Sequence, residues 1–164
     1  MYKRILVPID GSVAADAGLR EAIKLASARG GATIRLLHVL EPLPALQGME
    51  MVITGPLLKN MTTFGKKILD DAKALVKRNG IRAETVFQNR SQTRAADGIL
   101  REARSWEPDL IVMGTNGQRG LRRAVLGSDT ETVARAVTVP ILLVRASVLP
   151  FADPVSPSRK RRRR

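Results

Sequence analysis

Ala32-Thr33-Ile34-Arg35-Leu36-Leu37-His38-Val39-Leu40 is the stretch that decides the fold class of this chain. From Ile34 to Leu40 it is nearly continuous in apolar residues, where a strand with one wet face would alternate. A continuous run is expected of a parallel strand covered on both faces. Parallel neighbours need crossover connections, so helices should lie on either side of it in sequence. On the N-terminal side, Tyr2–Ile9 is β-rich and stops at the turn cluster Asp10-Gly11-Ser12; Ala15, Leu19, Ala22, Ile23 and Ala26 then recur at helical spacing up to Gly30-Gly31. On the C-terminal side, residues Glu41–Gly55 form an insert punctuated by proline and glycine. Leu57, Met61, Phe64, Ile68, Ala72 and Leu75 step by three or four along an amphipathic helix that ends at Asn79-Gly80. Ile81–Gln88 alternates as a strand, and Ala96, Ile99, Leu100 and Ala103 mark a third helix before Pro108. Leu110–Met113 is a short buried strand, Gly114–Gly127 a glycine-rich loop, about Asp129–Val137 a fourth helix, and Pro140–Arg145 a last strand. The βαβαβαβαβ pattern predicts a doubly wound α/β domain over residues 1–146.

Composition narrows the function classes. The 164 residues contain no cysteine and one histidine, which excludes disulfides, thiolate metal sites, a cysteine nucleophile and a histidine-rich metal site. No apolar run approaches the ~20 residues of a membrane span. Ile5–Ile9 is shorter than a signal-peptide core of about 7–15 residues, and the expected location is the cytoplasm. The formal net charge is +13, and Arg159, Lys160, Arg161, Arg162, Arg163 and Arg164 carry six of those charges at one end. With Pro150, Pro154, Pro157, Ser156 and Ser158, residues 147–164 read as a disordered basic tail.

Ligands of open α/β sheets bind outside the carboxyl ends of the strands. Three loops are placed to contribute: Asp10-Gly11-Ser12, the segment around His38-Val39, and Gly114–Gly127. The last supplies Gly114, Gly117 and Gly120, then Arg122 and Arg123, and leads through Leu126-Gly127-Ser128-Asp129-Thr130-Glu131 into a helix. Glycines allow backbone N–H groups to approach an anion, and a helix N-terminus adds donors and a favourable dipole. Arg119, Arg122 and Arg123 could neutralise phosphate charge. The plainer alternative is a set of turns, with Ser128-x-x-Glu131 as a capping box for the helix. Neither G-x-G-x-x-G nor G-x-x-x-x-G-K-[ST] occurs, so a Rossmann dehydrogenase and a P-loop NTPase are not supported.

Gly114-x2-Gly117-x9-Gly127-Ser128 satisfies the G-x2-G-x9-G-[ST] signature of the ATP-binding branch of the universal stress protein family, which the chain resembles. Ile5-Leu6-Val7-Pro8-Ile9-Asp10-Gly11-Ser12, Leu37-His38-Val39, Pro108-Asp109-Leu110-Ile111-Val112-Met113-Gly114 and Val139-Pro140-Ile141-Leu142-Leu143-Val144 extend the resemblance over about residues 2–145. The expected sheet has five parallel strands in the order 3-2-1-4-5 with helices on both faces. The resemblance implies that Asp10 contacts the nucleotide near its ribose or adenine, that Pro8 and Ile9 shape the pocket, and that the Val39 backbone meets the adenine edge. Gly114 and Gly117 would pass close to ribose and phosphates. Gly127, Ser128, Asp129 and Thr130 would hold phosphates and an associated Mg²⁺ or Mn²⁺. Met113, Asn116 and Arg119 complete the candidate ATP-binding set. Asp129 is a departure, since many relatives have a small apolar residue there. It either assists a metal ion or repels the terminal phosphate.

Other readings stand beside these. Asp10 is also placed for an Asx turn, and His38 for a core or strand-end role rather than catalysis. No acidic pair stands out as a general acid and base, so at most slow ATP hydrolysis is expected. The resemblance further implies a homodimer through the last strand, Ile141 to Val144, pairing antiparallel with its copy. The insert, with Met49, Met51, Val52 and Ile53, suits a mobile lid, a partner surface or core packing equally. An alternative function is nucleic-acid or polyanion binding through Arg159–Arg164. An adenine-nucleotide α-hydrolase ranks last, because Asp10-Gly11-Ser12 departs from the Ser-Gly-Gly-x-Asp-Ser loop of that class.

Overall fold

A computed structural model describes residues 2–28, 30–40, 55–89, 94–115 and 127–146. Most of the insert, the glycine-rich loop from Asn116 to Leu126 (with Gly117 and Arg119), and the basic tail lie outside them. Nine elements alternate along the chain: β1 (Arg4–Pro8), α1 (Val13–Ser27), β2 (Thr33–Leu40), α2 (Gly55–Arg78), β3 (Arg82–Asn89), α3 (Ala95–Trp106), β4 (Leu110–Thr115), α4 (Ser128–Ala136) and β5 (Ile141–Arg145). The strands form one sheet in the order β3-β2-β1-β4-β5, with every neighbouring pair parallel. Class, strand order and direction agree with the sequence reading.

Strand side chains alternate between two apolar layers. Ile5, Val7, Ile34, Leu36, Leu110 and Val112 face α1 and α2, where Leu19, Ala22, Leu69 and Val76 cover them. Leu6, Leu37, Ile111 and Met113 face α3 and α4, meeting Ala96, Ile99, Trp106 and Val133. The largely apolar character of β2 follows from this two-sided burial. His38 and Arg35 interrupt it, and Arg35 is held by two carboxylates and an aromatic ring. Its guanidinium donates to Glu84 and, at 2.7 Å, to Glu102 Oε1, while its Cζ lies 4.3 Å from the centroid of the Trp106 ring. Glu102 is buried, and a buried carboxylate is tolerated because a cation is held against it.

Asp109 ties the start of β1 to that of β4. Its carboxylate accepts from Lys3 N at 2.7 Å and Arg4 N at 3.0 Å, and its own N–H donates to the Arg4 carbonyl at 2.9 Å. Glu107 ends α3 in the left-handed region (φ 50°) just before Pro108, which cannot continue a helix.

Two boundaries differ informatively from expectation. Gly114 and Thr115, expected to open the loop, continue β4 and pair with Val144 and Arg145, because β5 runs far enough to offer them ladder partners. Ser128, expected as a helix cap, is the first residue of α4, and Gly127 is the cap. The capping box weighed as the plainer alternative is therefore not formed. The Glu131 N–H donates to the Gly127 carbonyl at 3.0 Å, and the Glu131 carboxylate turns to Arg135 at 2.8 Å.

Candidate functional site

The strand order places the topological switch between β1 and β4. The chain leaves β1 toward β2 and leaves β4 toward β5, so their connections diverge and leave a crevice at the carboxyl ends. The ladder reflects this. β1 pairs with β4 only at Ile5↔Leu110 and Leu6↔Ile111, whereas it pairs with β2 as far as Pro8↔Leu37.

One wall of the crevice is the β1–α1 turn. Half-buried Pro8 ends β1, and Ile9 is buried, its N–H donating to the Leu37 carbonyl at 2.8 Å. The Ile9 carbonyl lies 2.8 Å from His38 Nδ1. A carbonyl only accepts, so Nδ1 carries the proton in this contact. His38 is itself buried and stacked on Phe87, ring centroids 5.7 Å apart. It is thus a strand-end residue that fixes the backbone just before Asp10. Asp10 is exposed, and its Oδ1 accepts from Ser12 N at 2.9 Å. The Asx turn weighed from sequence is present, and it aims the carboxylate outward from a strand end. Gly11 takes φ +82°, a conformation that an L side chain rarely adopts. Ser12 then caps α1, its hydroxyl accepting from Ala15 N at 3.1 Å.

The second wall is the end of β4. Met113 is buried. Gly114 lies directly against α1, so that a Cβ built on it would collide with the Ala14 carbonyl and sit 2.8 Å from Ala15 N. Gly18 makes the reciprocal approach, its hypothetical Cβ 2.9 Å from Gly114 N. On β2, Val39 turns its side chain under α3, where a Cβ on Gly98 would fall 2.5 Å from Val39 Cγ2. With that side chain committed to packing, the Val39 backbone is what remains for the carboxyl-end surface.

The start of α4 lies at the carboxyl end of the sheet, beside the start of α3. Around Gly127 a built Cβ meets nothing within 4 Å among the described residues. Ser128 is exposed, Thr130 is buried, and Asp129 lies between these extremes. Asp129 Oδ1 is closed off from solvent and accepts no hydrogen bond among the described residues. Its electrostatic partner is Arg94 Nη2, 3.5 Å away. Arg94 precedes α3 and was not among the sequence candidates. Its pairing with Asp129 joins two separate βα connections, so no local spacing signals it.

The structure therefore brings Pro8, Ile9, Asp10, Val39, Met113, Gly114, Gly127, Ser128, Asp129 and Thr130 to the carboxyl end of the sheet, while Asn116, Gly117 and Arg119 lie outside the described residues. Backbone donors at the first turn of α4, a small-residue gap and hard oxygen ligands suit a phosphate with a divalent cation. Among the described residues no three His, Cys, Asp or Glu side chains come together as a metal site. A cation here would rest on one carboxylate and on oxygens that its ligand brings.

Comparison with known proteins is consistent in both sequence and fold. The model of the universal stress protein family matches residues 1–145. Universal stress protein YxiE of Bacillus subtilis is 32% identical over 160 residues, spanning 88% of this chain and all of the relative. A universal stress protein of Thermus aquaticus is 34% identical over 145 residues, with the same coverage of this chain and all of its own length. The structure of universal stress protein UspA from Lactobacillus plantarum superposes with a TM-score of 0.69 at 27% identity, covering 88% of this chain and 98% of that one. More distant structures share the fold: an Arabidopsis thaliana family protein with AMP bound (16% identity, TM-score 0.63) and an Archaeoglobus fulgidus universal stress protein in complex with dAMP (21% identity, TM-score 0.61).

Proposed function

The chain belongs to the universal stress protein family, and from that premise we propose that it binds ATP, with Mg²⁺ or Mn²⁺, in the crevice between β1 and β4. The bound nucleotide is a sensed signal in a stress response rather than a substrate turned over rapidly. The observation that carries this reading is the open start of α4 at the switch point. A Cβ at Gly127 meets nothing within 4 Å among the described residues, the first-turn N–H groups have no intrahelical partner, and Asp129 Oδ1 accepts no hydrogen bond among the described residues. AMP and dAMP on structural neighbours support an adenine nucleotide as the ligand class.

In this arrangement Ile9 and the Val39 backbone shape the base pocket, and Asp10 faces the ribose or base. The first turn of α4 receives the phosphates, with Ser128 and Asp129 as the residues that would hold the cation. A bound divalent cation would neutralise phosphate charge and fix the phosphate geometry. No acidic pair stands out in the sequence as a general acid and base, which is why hydrolysis is expected to be slow.

The test is to denature the purified protein, identify the small molecules it releases, and titrate the emptied protein with ATP. Released or rebound adenine nucleotide is the expected result. If the protein carries none and ATP fails to bind with or without Mg²⁺, the reading is wrong.

A homodimer through β5 belongs to the same proposal. β5 is an edge strand, and Leu143 is 38% exposed on it. An apolar edge of this kind is a pairing surface, and antiparallel addition of a second copy would cover it. Sedimentation should give a dimer, and Leu143→Pro, which removes an N–H on the open edge while leaving the ladder to β4 intact, should shift it to monomer.

A further inference from the structure

β3 is the other edge of the sheet, and it lacks the features that usually keep an edge strand from pairing. Its 8 residues stay in register with β2 from Thr33↔Arg82 to Leu40↔Asn89, without a bulge, and include no proline, glycine or lysine. The side chains that could shield it are turned inward. Glu84 accepts from Arg35 Nε at 2.9 Å, and Gln88 donates to the Gly98 carbonyl at 3.4 Å. The Thr33 N–H donates to the Lys3 carbonyl, and the Leu37 carbonyl accepts from Ile9 N. Odd-numbered residues of β2 therefore bond to β1 and even-numbered ones to β3, whose ladder uses Arg82, Glu84, Val86 and Gln88. The N–H and C=O groups of Ala83, Thr85 and Phe87 point off the open edge, where no strand among the described residues meets them.

A row of positive charge overlooks that edge. On α2, Ile68 reaches the β1–α1 turn, where a Cβ on Gly11 would fall 3.0 Å from its Cδ1, and Gly65 rests on His38 and Phe87. Lys66, Lys73 and Lys77 recur at helical intervals on the flank opposite Ile68, over β3. Lys66 and Lys77 are exposed and Lys73 is half-buried. None of the three is in an ion pair among the described residues, whereas Lys67, further round the helix, is held by Asp71. Asp70 is the acidic residue of α2 on this flank, and exposed Arg82 adds a positive charge at the start of β3. α2 runs back along β3, so Lys77, Lys73 and Lys66 follow the strand from its start to its end. Lys66 to Lys77 covers about 16 Å of helix, and Ala83 to Phe87 about 13 Å of strand.

We propose that the open edge of β3 and the lysine flank of α2 together bind an extended acidic segment of a partner protein by strand addition. Its main chain continues the sheet beyond β3, satisfying the outward groups of Ala83, Thr85 and Phe87. Its alternate side chains point toward the α2 side and set carboxylates beside the lysines. Backbone pairing supplies affinity, and the lysines choose the sign of the partner's charge. A second copy of this chain is the wrong complement, because antiparallel pairing of two β3 edges would bring lysine flank against lysine flank.

The experiment titrates the full chain with a labelled peptide of alternating glutamate and valine, 8 residues long to match β3, and reads fluorescence anisotropy and amide hydrogen exchange. The peptide should bind and slow exchange at Ala83, Thr85 and Phe87. Methylating its alternate main-chain nitrogens, or replacing its glutamates with lysine, should weaken binding at least about tenfold. The exposed pair Lys66→Glu with Lys77→Glu should do the same. So should Thr85→Pro, which removes an outward N–H and leaves the ladder to β2 intact. Thermal melts verify that the variants fold, and if Thr85→Pro does not, the methylated peptide decides the backbone contribution. No binding of the glutamate–valine peptide, equal binding of its methylated form, or protection confined to residues outside β3 overturns the proposal. A dimer that Thr85→Pro breaks overturns it in favour of a second copy. A single-stranded oligonucleotide that slows exchange at β3 while the peptide does not overturns it in favour of a nucleic acid.

Discussion

Gly114 and Gly127 belong to one sequence motif, yet the structure puts them in opposite surroundings. At Gly114 the backbone of α1 lies so close that a Cβ has no room, whereas at Gly127 a Cβ meets nothing within 4 Å among the described residues. The first glycine is required by packing inside the molecule. The second leaves space outside it. A glycine motif can therefore mix residues that the packing of the fold requires with residues that leave open space, and only the surroundings separate them.

The sharpest way to break this comparison is Gly114→Ala. The obstructing atoms are backbone atoms of Ala14 and Ala15, which cannot swing aside, so the loss should reach or exceed the upper end of the roughly 1–3 kcal/mol usual for overpacking. Chemical denaturation measures it, and a loss under about 0.5 kcal/mol would mean that α1 is not seated as described. His38→Leu is next on the closed wall. It removes the donor to the Ile9 carbonyl and should cost about 1–3 kcal/mol for a buried acceptor left without its partner. Nucleotide affinity should fall as well, because Ile9 and Asp10 lose their anchor.

Gly127→Ala probes the open wall. Its backbone, at φ −52° and ψ 147°, is accessible to alanine, so stability should change by about 1 kcal/mol or less. ATP affinity should drop more than stability does, since the methyl group enters the phosphate space. A protein with unchanged ATP affinity and a large stability loss would reverse the assignment of the two glycines. The smallest effect belongs to Lys67, whose side chain is exposed on α2. Hydrogen bonding to Asp71 at 2.8 Å, and then the Asp71 charge, raises the Lys67 pKa. The linked stability is present below the ordinary lysine pKa and lost only as pH rises through the raised value. The pair is fully solvated, and Lys67→Ala should move Tm by about 1 °C or less at neutral pH.

Much of the fold was legible beforehand because burial on both faces leaves a mark in composition. The run Ile34–Leu40 reads as a covered parallel strand, and helical periodicity places α1, α2 and α3 to within a few residues. Boundaries were less legible where tertiary partners set them. Gly114 and Thr115 join β4 because β5 is alongside, and Ser128 sits one position inside α4 rather than at its cap. Of the site, the candidates from Pro8 to Asp10, Val39, Met113, Gly114 and Gly127 to Thr130 lie at the carboxyl ends of the strands or on the connections there, and Asn116, Gly117 and Arg119 lie outside the described residues. Arg94 was missed because its partner comes from another connection.

By itself, the sequence determined the class of the fold, the order of its elements and the family, since these rest on periodicity and on motifs read along the chain. Only the tertiary structure decided which glycine is packed and which is open, that His38 anchors Ile9, and that Arg94 faces Asp129. The physical reason is that these depend on distances between segments far apart in sequence. Close packing and ion pairing act across space, and neither leaves a period or a spacing in the chain.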